Sequence, residues 1–365
     1  MRACIVGGGL AGSLLAWRLA RAAAGWQVDV LRGQRRRPDA TAASGGAVRA
    51  YETDRDTRRL AAASLVELLG SRTLRQWADF RQVESVYLRR TADCLEFAVA
   101  EIGQFLPGSA ELVDASELER RGWADLHDGG AAVVERRAGY TSPDRLREAV
   151  LEDAVASRRV SVLEQAATGI TPHDSGTISC AFADQRRDYD VVVMATGPWT
   201  SAWLRTSGLP AGGYRTKSIQ YSLYPVEGWC PPQFVDEVTG LYGRPTPDGG
   251  LLLGLPTDEW DVDPDRSRLT PALHESAVRL AHARFPKLRI GPATRRVGSA
   301  DCYCDGPTLS LRRLGDAGHH LFTFTGGAGG SAKTALAASL LAANRLVESS
   351  HPTQLTSVGL RKGTP

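Results

Sequence analysis

The feature that most constrains this chain is a glycine-rich turn near its N-terminus. The apolar run at residues 4–6 is typical of a buried parallel strand, and a helix is predicted over residues 13–24. The spacing between them is G-x-G-x-x-G. Gly7 permits the tight turn, Gly9 the approach of a pyrophosphate, and Gly12 close packing of helix and strand. The helix N-terminus adds N–H groups and partial positive charge. The pattern predicts a dinucleotide site with these binding residues: Gly7, Gly9, Leu10, Ala11 and Gly12.

The strand that follows, Gln27–Leu31, completes a βαβ unit but ends in an unusual residue. An acidic side chain normally follows this strand and binds the adenosine ribose. Here the position holds Arg32. Two interpretations stay open: Arg32 could meet a 2′-phosphate, as in NADP proteins, or border an FAD site that discriminates less at the ribose.

The composition is that of an ordinary globular protein. With 365 residues, 42% hydrophobic and 23% charged, the chain favours two domains or one large α/β unit. The net charge is only +3, without a basic stripe interleaved with aromatics, so we expect no nucleic-acid partner. No segment has the length of a membrane span, and glycines interrupt the apolar N-terminus. We therefore expect no membrane partner. The scattered cysteines and histidines show no metal-ligand spacing, which favours a cytoplasmic protein without a metal.

Hydrophobic periodicity predicts alternating helices and strands in the middle of the chain. Helices are predicted over residues 64–80, 145–156 and 271–285, with Thr141 or Ser142 as the cap of the second. Strand-like alternation covers residues 83–99, and a buried strand begins at residue 189 and ends in a small-residue turn at 195–197. Residues 213–263, rich in aromatic and β-branched side chains, predict a separate sheet. The arginine run at 35–37 is expected to be a solvated loop.

A second strand–glycine turn–helix lies near the C-terminus. The predicted strand covers residues 320–325, the turn 326–330 and a small-residue helix 331–347. Like the first turn, it would aim amide groups at a bound anion or ring. The polar stretch 349–365 is predicted to be a disordered tail.

Taken in order, these segments resemble the FAD-dependent D-amino-acid-oxidase superfamily, which includes glycine oxidase and the monomeric sarcosine oxidases. The matching segments span nearly the whole chain, and their order is more specific than any one of them. They are residues 7–12, 44–49, 139–143, 195–199, 241–245 with 248–254, 305–307 and 325–333.

The resemblance implies an α/β fold in which a Rossmann-like FAD-binding domain is assembled from separated segments. We expect this domain to comprise residues 1–82, 139–212 and 296–348, and a mixed β-sheet substrate domain to comprise 83–138 and 213–295. Family chemistry implies hydride transfer to FAD from a carbon next to an amine nitrogen, with O₂ or another acceptor reoxidising the flavin. No acid–base triad is required. Beyond the first turn, the expected cofactor-binding residues are Arg32, Ser44, Gly45, Gly46, Ala195, Thr196, Gly197, Trp199, Gly327, Gly329, Gly330, Ser331, Ala332 and Lys333.

The resemblance also implies three residues beside the reacting centre. Lys333 matches a lysine that holds the substrate carboxylate in sarcosine-oxidase-like enzymes, and Arg49 matches an arginine kept beside the flavin. Where those enzymes carry a second carboxylate-binding arginine, this chain has Glu52. An acid there would repel a carboxylate and favour a cationic group. Tyr242 matches an aromatic residue of the substrate cavity. The expected catalytic residues are therefore Arg49, Lys333 and Tyr242, and the expected substrate-binding residues are Glu52, Tyr221, Tyr242, Trp260 and Lys333.

Other positions depart from the family pattern. The lysine that promotes reaction with O₂ in sarcosine oxidases is replaced within the apolar run 251–253, so fast oxidase behaviour by that route is not expected. Ala300 stands where glycine oxidases carry a carboxylate-clamping arginine, which disfavours a simple free amino acid. Cys302 and Cys304 lie near the site of covalent flavin attachment in some members, but their spacing to Asp305 differs. We therefore expect noncovalent FAD.

The leading hypothesis is an FAD-dependent amine or amino-acid-like oxidoreductase, an oxidase or a dehydrogenase, whose small-molecule substrate carries a basic or bulky group. The arginine-rich composition is typical of GC-rich genomes, where such enzymes tailor specialised metabolites. Two alternatives stay open. Arg32 would fit an NADPH-dependent flavin monooxygenase, although the C-terminal motif lacks the Gly-Asp pair of hydroxylase-type flavoproteins. The partly absent catalytic residues would fit a non-catalytic flavin-binding protein.

Overall fold

The computed structural model describes residues 1–22, 25–33, 39–127, 129–211, 213–315, 319–327 and 329–350. The strands are β1 (Arg2–Val6), β2 (Gln27–Leu31), β3 (Ala47–Val48), β4 (Arg81–Gln82), β5 (Ser85–Arg89), β6 (Ala110–Asp114), β7 (Ala131–Glu135), β8 (Gly139–Tyr140), β9 (Val160–Leu163), β10 (Ala167–Pro172), β11 (Ile178–Phe182), β12 (Gln185–Tyr189), β13 (Val191–Met194), β14 (Tyr214–Tyr224), β15 (Gln233–Asp236), β16 (Tyr242–Pro245), β17 (Leu251–Gly254), β18 (Arg295–Cys304), β19 (Ser310–Arg313) and β20 (Leu321–Thr325). The α-helices are α1 (Leu10–Ala22), α2 (Arg55–Gly70), α3 (Arg72–Trp77), α4 (Leu95–Phe105), α5 (Ala115–Arg120), α6 (Pro143–Ala156), α7 (Thr200–Thr206), α8 (Pro271–Arg284) and α9 (Ala335–Ser350).

A six-stranded sheet forms the first layer of the molecule, in the order β19-β20-β13-β1-β2-β9. Its pairs are parallel except for β19, which runs antiparallel to β20. The central strand β1 is apolar and buried from Ala3 to Val6, as expected for a strand covered on both faces. Helices α1, α6 and α9 cover one face, and the sheet β10-β11-β12 packs against the other. This confirms the predicted α/β fold with a Rossmann-like layer.

An eight-stranded mixed sheet forms the second layer, in the order β18-β14-β17-β16-β15-β5-β7-β6. Only the β15–β5 pair is parallel. Burial along β14 alternates strictly, so successive side chains point to opposite faces. One face packs on α8 through Trp123, Phe234 and Phe285, whose rings meet edge to face. The other face is therefore free to line a cavity.

The structure corrects two predicted elements. Residues 83–99 are not one strand: β5 ends at Arg89 and α4 begins at Leu95. The buried residues Leu95, Ala98 and Ile102 follow helical spacing, which the strand-like alternation before them concealed. The helix predicted over 64–80 is two helices, because Ser71 ends α2 and its side chain accepts a hydrogen bond from Leu74 N at the start of α3.

Other predicted elements are confirmed with shifted ends. Helix α6 begins at Pro143, and its cap is Ser142, whose hydroxyl accepts a hydrogen bond from Arg145 N. A 3₁₀ turn, Ser331–Lys333, precedes α9. The helix α9 continues to Ser350, so the predicted tail begins too early at residue 349. Residues 23–24, 35–37 and 351–365, named in the predictions above, lie outside the described residues.

One predicted domain limit needs correction. Residues 296–304 were grouped with the FAD-binding segments, but β18 pairs with β14 in the eight-stranded sheet over ten residue pairs, from Tyr214↔Cys304 to Leu223↔Arg295. The remaining limits stay a prediction. Within the described part of the chain, none of the helices combines the length and apolar character needed to cross a lipid bilayer.

Candidate active site

The first glycine turn is shaped by backbone packed against backbone. Gly7 adopts φ +118°, and a Cβ there would lie 2.3 Å from the carbonyl oxygen of Ala195. A Cβ at Gly12 would lie 2.1 Å from the carbonyl oxygen of Gly7. A Cβ at Gly9 would approach only Thr41 Oγ1, at 3.4 Å. The first two glycines are therefore required by the fold, and the third leaves room for a ligand.

A cavity of about 700 Å³ opens beside this turn. Arg32 lies in its wall, but its guanidinium is held by Glu148 through two hydrogen bonds of 2.8 and 2.9 Å. Trp199 lies in the same wall and donates its indole N–H to Asp265. The predicted residues that line this cavity are Gly7, Gly9, Arg32, Ala195, Thr196, Gly197 and Trp199.

The second glycine turn is left-handed throughout its described residues. Gly326, Gly327, Gly329 and Gly330 have φ values of +81°, +124°, +78° and +65°. A Cβ at Gly329 would lie 2.5 Å from the hydroxyl oxygen of Tyr303, and one at Gly330 would lie 2.4 Å from Lys333 Nζ. Successive backbone amides in such a conformation form a concave anion- or dipole-binding surface.

A second cavity, of about 490 Å³, connects the two turns. Gly9, Ala40, Thr41, Ala195 and Gly197 line both cavities, so the two form one trough along the carboxyl ends of β1 and β13. The predicted cofactor residues that line the second cavity are Gly9, Leu10, Ala11, Ser44, Gly45, Gly46, Ala195, Gly197, Gly329, Gly330, Ser331, Ala332 and Lys333. Gly12 and Gly327 pack behind the two turns.

Three predicted residues form an ion cluster in the wall of the second cavity. Lys333 Nζ lies 2.7 Å from Glu52 Oε1, and Arg49 Nη2 lies 2.9 Å from the same oxygen. Burial lowers the pKa of Lys333, and the charge of Glu52 opposes this. Burial acts to raise the pKa of Glu52, but Lys333 and Arg49 together hold it below its ordinary value. The ion pairs therefore favour the charged forms of Glu52 and Lys333 against the effect of burial.

This finding changes the interpretation of Glu52. The sequence predicted that its charge would repel a carboxylate and favour a cationic group. In the structure that charge lies between two cations of the protein itself, so it is already balanced.

A buried carboxylate that the sequence analysis did not single out positions this cluster. Glu135, on β7, accepts hydrogen bonds from the backbone N–H groups of Ala50 and Tyr51, both at 2.8 Å. Burial raises the pKa of Glu135, although these donors oppose the shift. The contacts fix the loop that carries Arg49 and Glu52. The sequence signal that could have identified Glu135 is a single acidic residue at the end of an otherwise apolar strand.

Two of the three aromatic residues predicted to bind substrate line the cavity, and the third does not. Tyr221 and Tyr242 line the cavity, and the Tyr242 hydroxyl donates to the carbonyl oxygen of Gln220 at 3.0 Å. Trp260 does not line it: the residue is 38% exposed and packs edge-on against Tyr303, with ring centroids 5.0 Å apart. Tyr303 is the lining residue instead. Alternation along β18 places Tyr303 and Asp301 on one face, which sequence alone could have indicated had β18 been assigned to this sheet.

The structure also shows where the residues lie that depart from the family pattern. Leu252 lines the cavity where the resemblance places a lysine in this strand, and Ala300 is buried on the opposite face of β18 from Asp301. Cys302 lines the cavity, but burial raises the pKa of its thiol to about 12. Cys304 Sγ accepts a hydrogen bond from Gly327 N at 3.1 Å.

The trough fits an FAD molecule. It is long and continuous, it begins at a helix N-terminus with a glycine whose missing side chain leaves space, and it ends against a second set of glycine amides. Fold and cavities thus define a dinucleotide-binding protein with a substrate-side sheet. The family model described as "FAD dependent oxidoreductase" (DAO) matches residues 2–345, and the chain belongs to this family of FAD-dependent oxidoreductases. This confirms the predicted enzyme class and cofactor.

Solved structures with the same fold cover nearly the whole chain. Glycine oxidase from Bacillus cereus ATCC 14579 is 16% identical, with 96% of this chain and 95% of that chain covered and a TM-score of 0.72. A variant of NikD, described as an unusual amino acid oxidase essential for nikkomycin biosynthesis, is 20% identical, with 100% and 99% covered and a TM-score of 0.75. An FAD-bound L-α-glycerophosphate oxidase from Mycoplasma pneumoniae is 15% identical, with 95% and 94% covered and a TM-score of 0.76. A search of curated protein sequences finds no match.

Proposed function

We propose that this protein oxidises the C–N bond of an amine or amino-acid-like substrate. Bound FAD would supply the acceptor for a hydride from the carbon next to nitrogen. The observation that carries the proposal is the joined trough, in which the cofactor turns open directly onto a cavity walled by Tyr221, Tyr242 and the Arg49–Glu52–Lys333 cluster. Amine oxidation by this route needs orientation and exclusion of water rather than a proton-transfer triad.

The residues of this chain would hold the cofactor and substrate in separate ways. Glycine amides at both ends of the trough and the loop Ser44–Gly45–Gly46 would contact FAD. Tyr221 on β14 and Tyr242 on β16 present rings and hydroxyls from the two strands that flank β17, since each lies opposite Gly254 in register. Their burial raises the pKa of both phenols, so they remain neutral.

Noncovalent FAD is part of the proposal. A thiol must be a thiolate to attack the flavin ring, and burial raises the pKa of Cys302 to about 12. Acid precipitation of the purified protein should therefore release FAD into the supernatant. Yellow colour that stays with the precipitate would contradict this part of the proposal.

The NADPH-dependent monooxygenase is less well supported. Arg32 was its main support, and the bidentate hydrogen bonds to Glu148 occupy that guanidinium.

Oxidation of an alcohol carbon also has to be tested, because the same fold is found in the glycerophosphate oxidase above.

Anaerobic reduction of the purified holoenzyme tests the proposal. Panels of primary and secondary amines, amino acids and hydroxy acids, and NADPH alone, are each mixed with the protein while flavin absorbance is followed. We expect bleaching by a member of the amine panels without NADPH. Bleaching by NADPH alone or only by hydroxy compounds would overturn the proposal, as would a flavin silent to every panel.

A further inference from the structure

The substrate-side cavity has an uneven charge. Two acids and four bases line it, which gives a formal charge of +2. The ion cluster of Arg49, Glu52 and Lys333 accounts for three of these residues. The other three lie on the eight-stranded sheet: Lys217, Arg244 and Asp301.

Arg244 is a half-buried cation of this set. Its side chain leaves β16 and crosses to the flavin-side loop, where Nε donates to the carbonyl oxygen of Gly45. Nη1 donates to the carbonyl oxygen of Pro245 at 2.8 Å, and the guanidinium stacks over the Tyr140 ring at 4.4 Å. Within the described part of the chain, no carboxylate oxygen lies within 4.0 Å of the guanidinium of Arg244. Its Nη2 has no hydrogen-bond acceptor among the same residues.

Lys217 differs from Arg244 in its neighbours. Its ammonium lies over the rings of Trp260 and Tyr303, at 4.7 and 5.9 Å from their centroids. It also faces Asp301 directly across the β14–β18 ladder. Lys217 therefore has an acid as its cross-strand neighbour, whereas Arg244 has no carboxylate within 4.0 Å among the described residues.

Burial lowers the pKa of Arg244, which shows that removal of water disfavours its charge. An arginine remains protonated under these conditions, and because two carbonyl oxygens and the Tyr140 ring already contact the guanidinium, Nη2 is the donor left for a partner that enters the cavity. A guanidinium with one open edge prefers a planar oxyanion, such as a carboxylate. Tyr221 is close enough for the charge of Arg244 to lower its pKa against the larger effect of burial, so both residues belong to the same part of the cavity.

We propose that Arg244 binds an anionic group of the substrate and thereby makes the preferred substrate an amine that carries a carboxylate. The inference rests on the proposed function and adds to it the residue that would select a carboxylate-bearing amine. It assigns the anion to Arg244 on β16 rather than to Lys333, whose ammonium already contacts Glu52, and it replaces the expectation of a cationic substrate group. Arg244 is a specificity-determining residue in this proposal and transfers no proton.

Binding of a non-oxidisable carboxylate tests the assignment independently of turnover. The holoenzyme is titrated with benzoate and with its neutral counterpart benzamide, and perturbation of the flavin absorbance gives each Kd. Formate and acetate are titrated in parallel. We expect the wild type to bind a carboxylate more tightly than benzamide, and Arg244→Met to weaken carboxylate binding at least 30-fold, about what truncating one partner of a buried charge pair costs, while benzamide changes less than threefold.

Two further variants control the experiment. Arg244→Lys keeps the charge but loses the planar fork, so we expect an intermediate Kd. Arg120→Met removes an exposed arginine of α5 and should leave every Kd unchanged. FAD content of each variant reports whether the fold survives. If Arg244→Met loses FAD, the comparison of Arg244→Lys with wild type decides: an unchanged carboxylate Kd would overturn the assignment.

Three other results would overturn it. Wild-type protein could bind none of the carboxylates, or Arg244→Met could retain the wild-type carboxylate Kd. Slower reoxidation of reduced Arg244→Met by O₂ with an unchanged carboxylate Kd would place the arginine on the electron-acceptor side. Failure of the proposed function is separate, since it would appear as flavin silent to all amines while the carboxylate titration still gives its result.

Discussion

The two glycine-rich turns of this protein look alike in sequence but are built differently. In the first, a side chain on Gly7 or Gly12 would strike a backbone carbonyl, at 2.3 and 2.1 Å. In the second, a side chain on Gly329 or Gly330 would strike another side chain, the hydroxyl of Tyr303 or the ammonium of Lys333. Backbone cannot move without opening the sheet, whereas a lysine can change rotamer.

The difference separates what the fold requires from what the active site requires. The first turn depends on the crossing of β1, α1 and β13, which any sequence of this fold must preserve. The second depends on residues that also line the substrate side of the cavity, so its shape and the choice of substrate are linked. Substitutions at the two turns should therefore have effects of different size and kind.

The largest effect is expected for Gly7→Ala. Alanine at φ +118° is strained, and its methyl group would overlap Ala195 O, so we expect destabilisation of more than about 3 kcal/mol and loss of bound FAD. FAD content per chain and thermal unfolding measure both. Gly25→Ala is the matched control: Gly25 has φ +91° with open space around it and should cost about 1 kcal/mol with FAD retained. Equal behaviour of the two variants would show that backbone packing does not define the first turn.

The same contrast explains what sequence could predict. The first turn and the βαβ unit of β1, α1 and β2 follow from local patterns, because glycine spacing and short apolar runs act within a few residues. The cap at Ser142 and the second turn were found for the same reason. These features need no knowledge of distant partners.

The substrate side required distant partners, and there the predictions were incomplete. Glu52 was predicted as a site residue, but the effect of its charge depends on the ion pair with Lys333. Lys333 is distant in sequence and reaches Glu52 only because the second turn and α9 pack beside it. Arg244 lies in the segment 241–245, which matched the family, but the sequence predicted no role for it. Only the packing of the folded chain shows that no carboxylate lies next to its guanidinium. Tyr303, for which the sequence predicted no role, lines the cavity in place of Trp260, since the sheet position of β18 decides which ring faces the cavity.

Glu52→Gln tests the link between the second turn and the substrate side. It would leave Arg49 and Lys333 buried without their shared acid, and we expect a loss of about 3 kcal/mol in unfolding free energy near pH 7. Chemical denaturation of the holoenzyme measures it. The control is Glu117→Gln, which removes an acid that pairs with Arg120 and Arg121 at the protein surface and should change stability much less. A loss no larger than that of the control would mean that the cluster does not hold the second turn.

The pH dependence of this loss follows from the two shifts. The folded pKa of Glu52 is lowered, so its contribution is present above about pH 4.5 and is lost as the pH falls through the folded pKa. The folded pKa of Lys333 is also lowered, and glutamine at position 52 would lower it further. Part of the loss should therefore be recovered as the pH rises toward 10.5, where an unfolded lysine also becomes neutral. The difference between variant and wild type should be greatest from about pH 5 to 8, and a difference independent of pH would contradict this account.

The smallest effect is expected for Gly330→Ala. Its φ of +65° costs an alanine about 1 kcal/mol, and the methyl group would displace only the flexible end of Lys333. Gly208 offers an almost identical φ of +67° with open space, so Gly208→Ala carries the same backbone strain without the lysine contact. The difference in unfolding free energy between these two variants therefore isolates the displacement of Lys333, which we expect to stay below about 2 kcal/mol with FAD retained. If Gly330→Ala instead loses FAD while Gly208→Ala keeps it, the second turn is as rigid as the first, and a side-chain neighbour constrains a glycine as strictly as a carbonyl does.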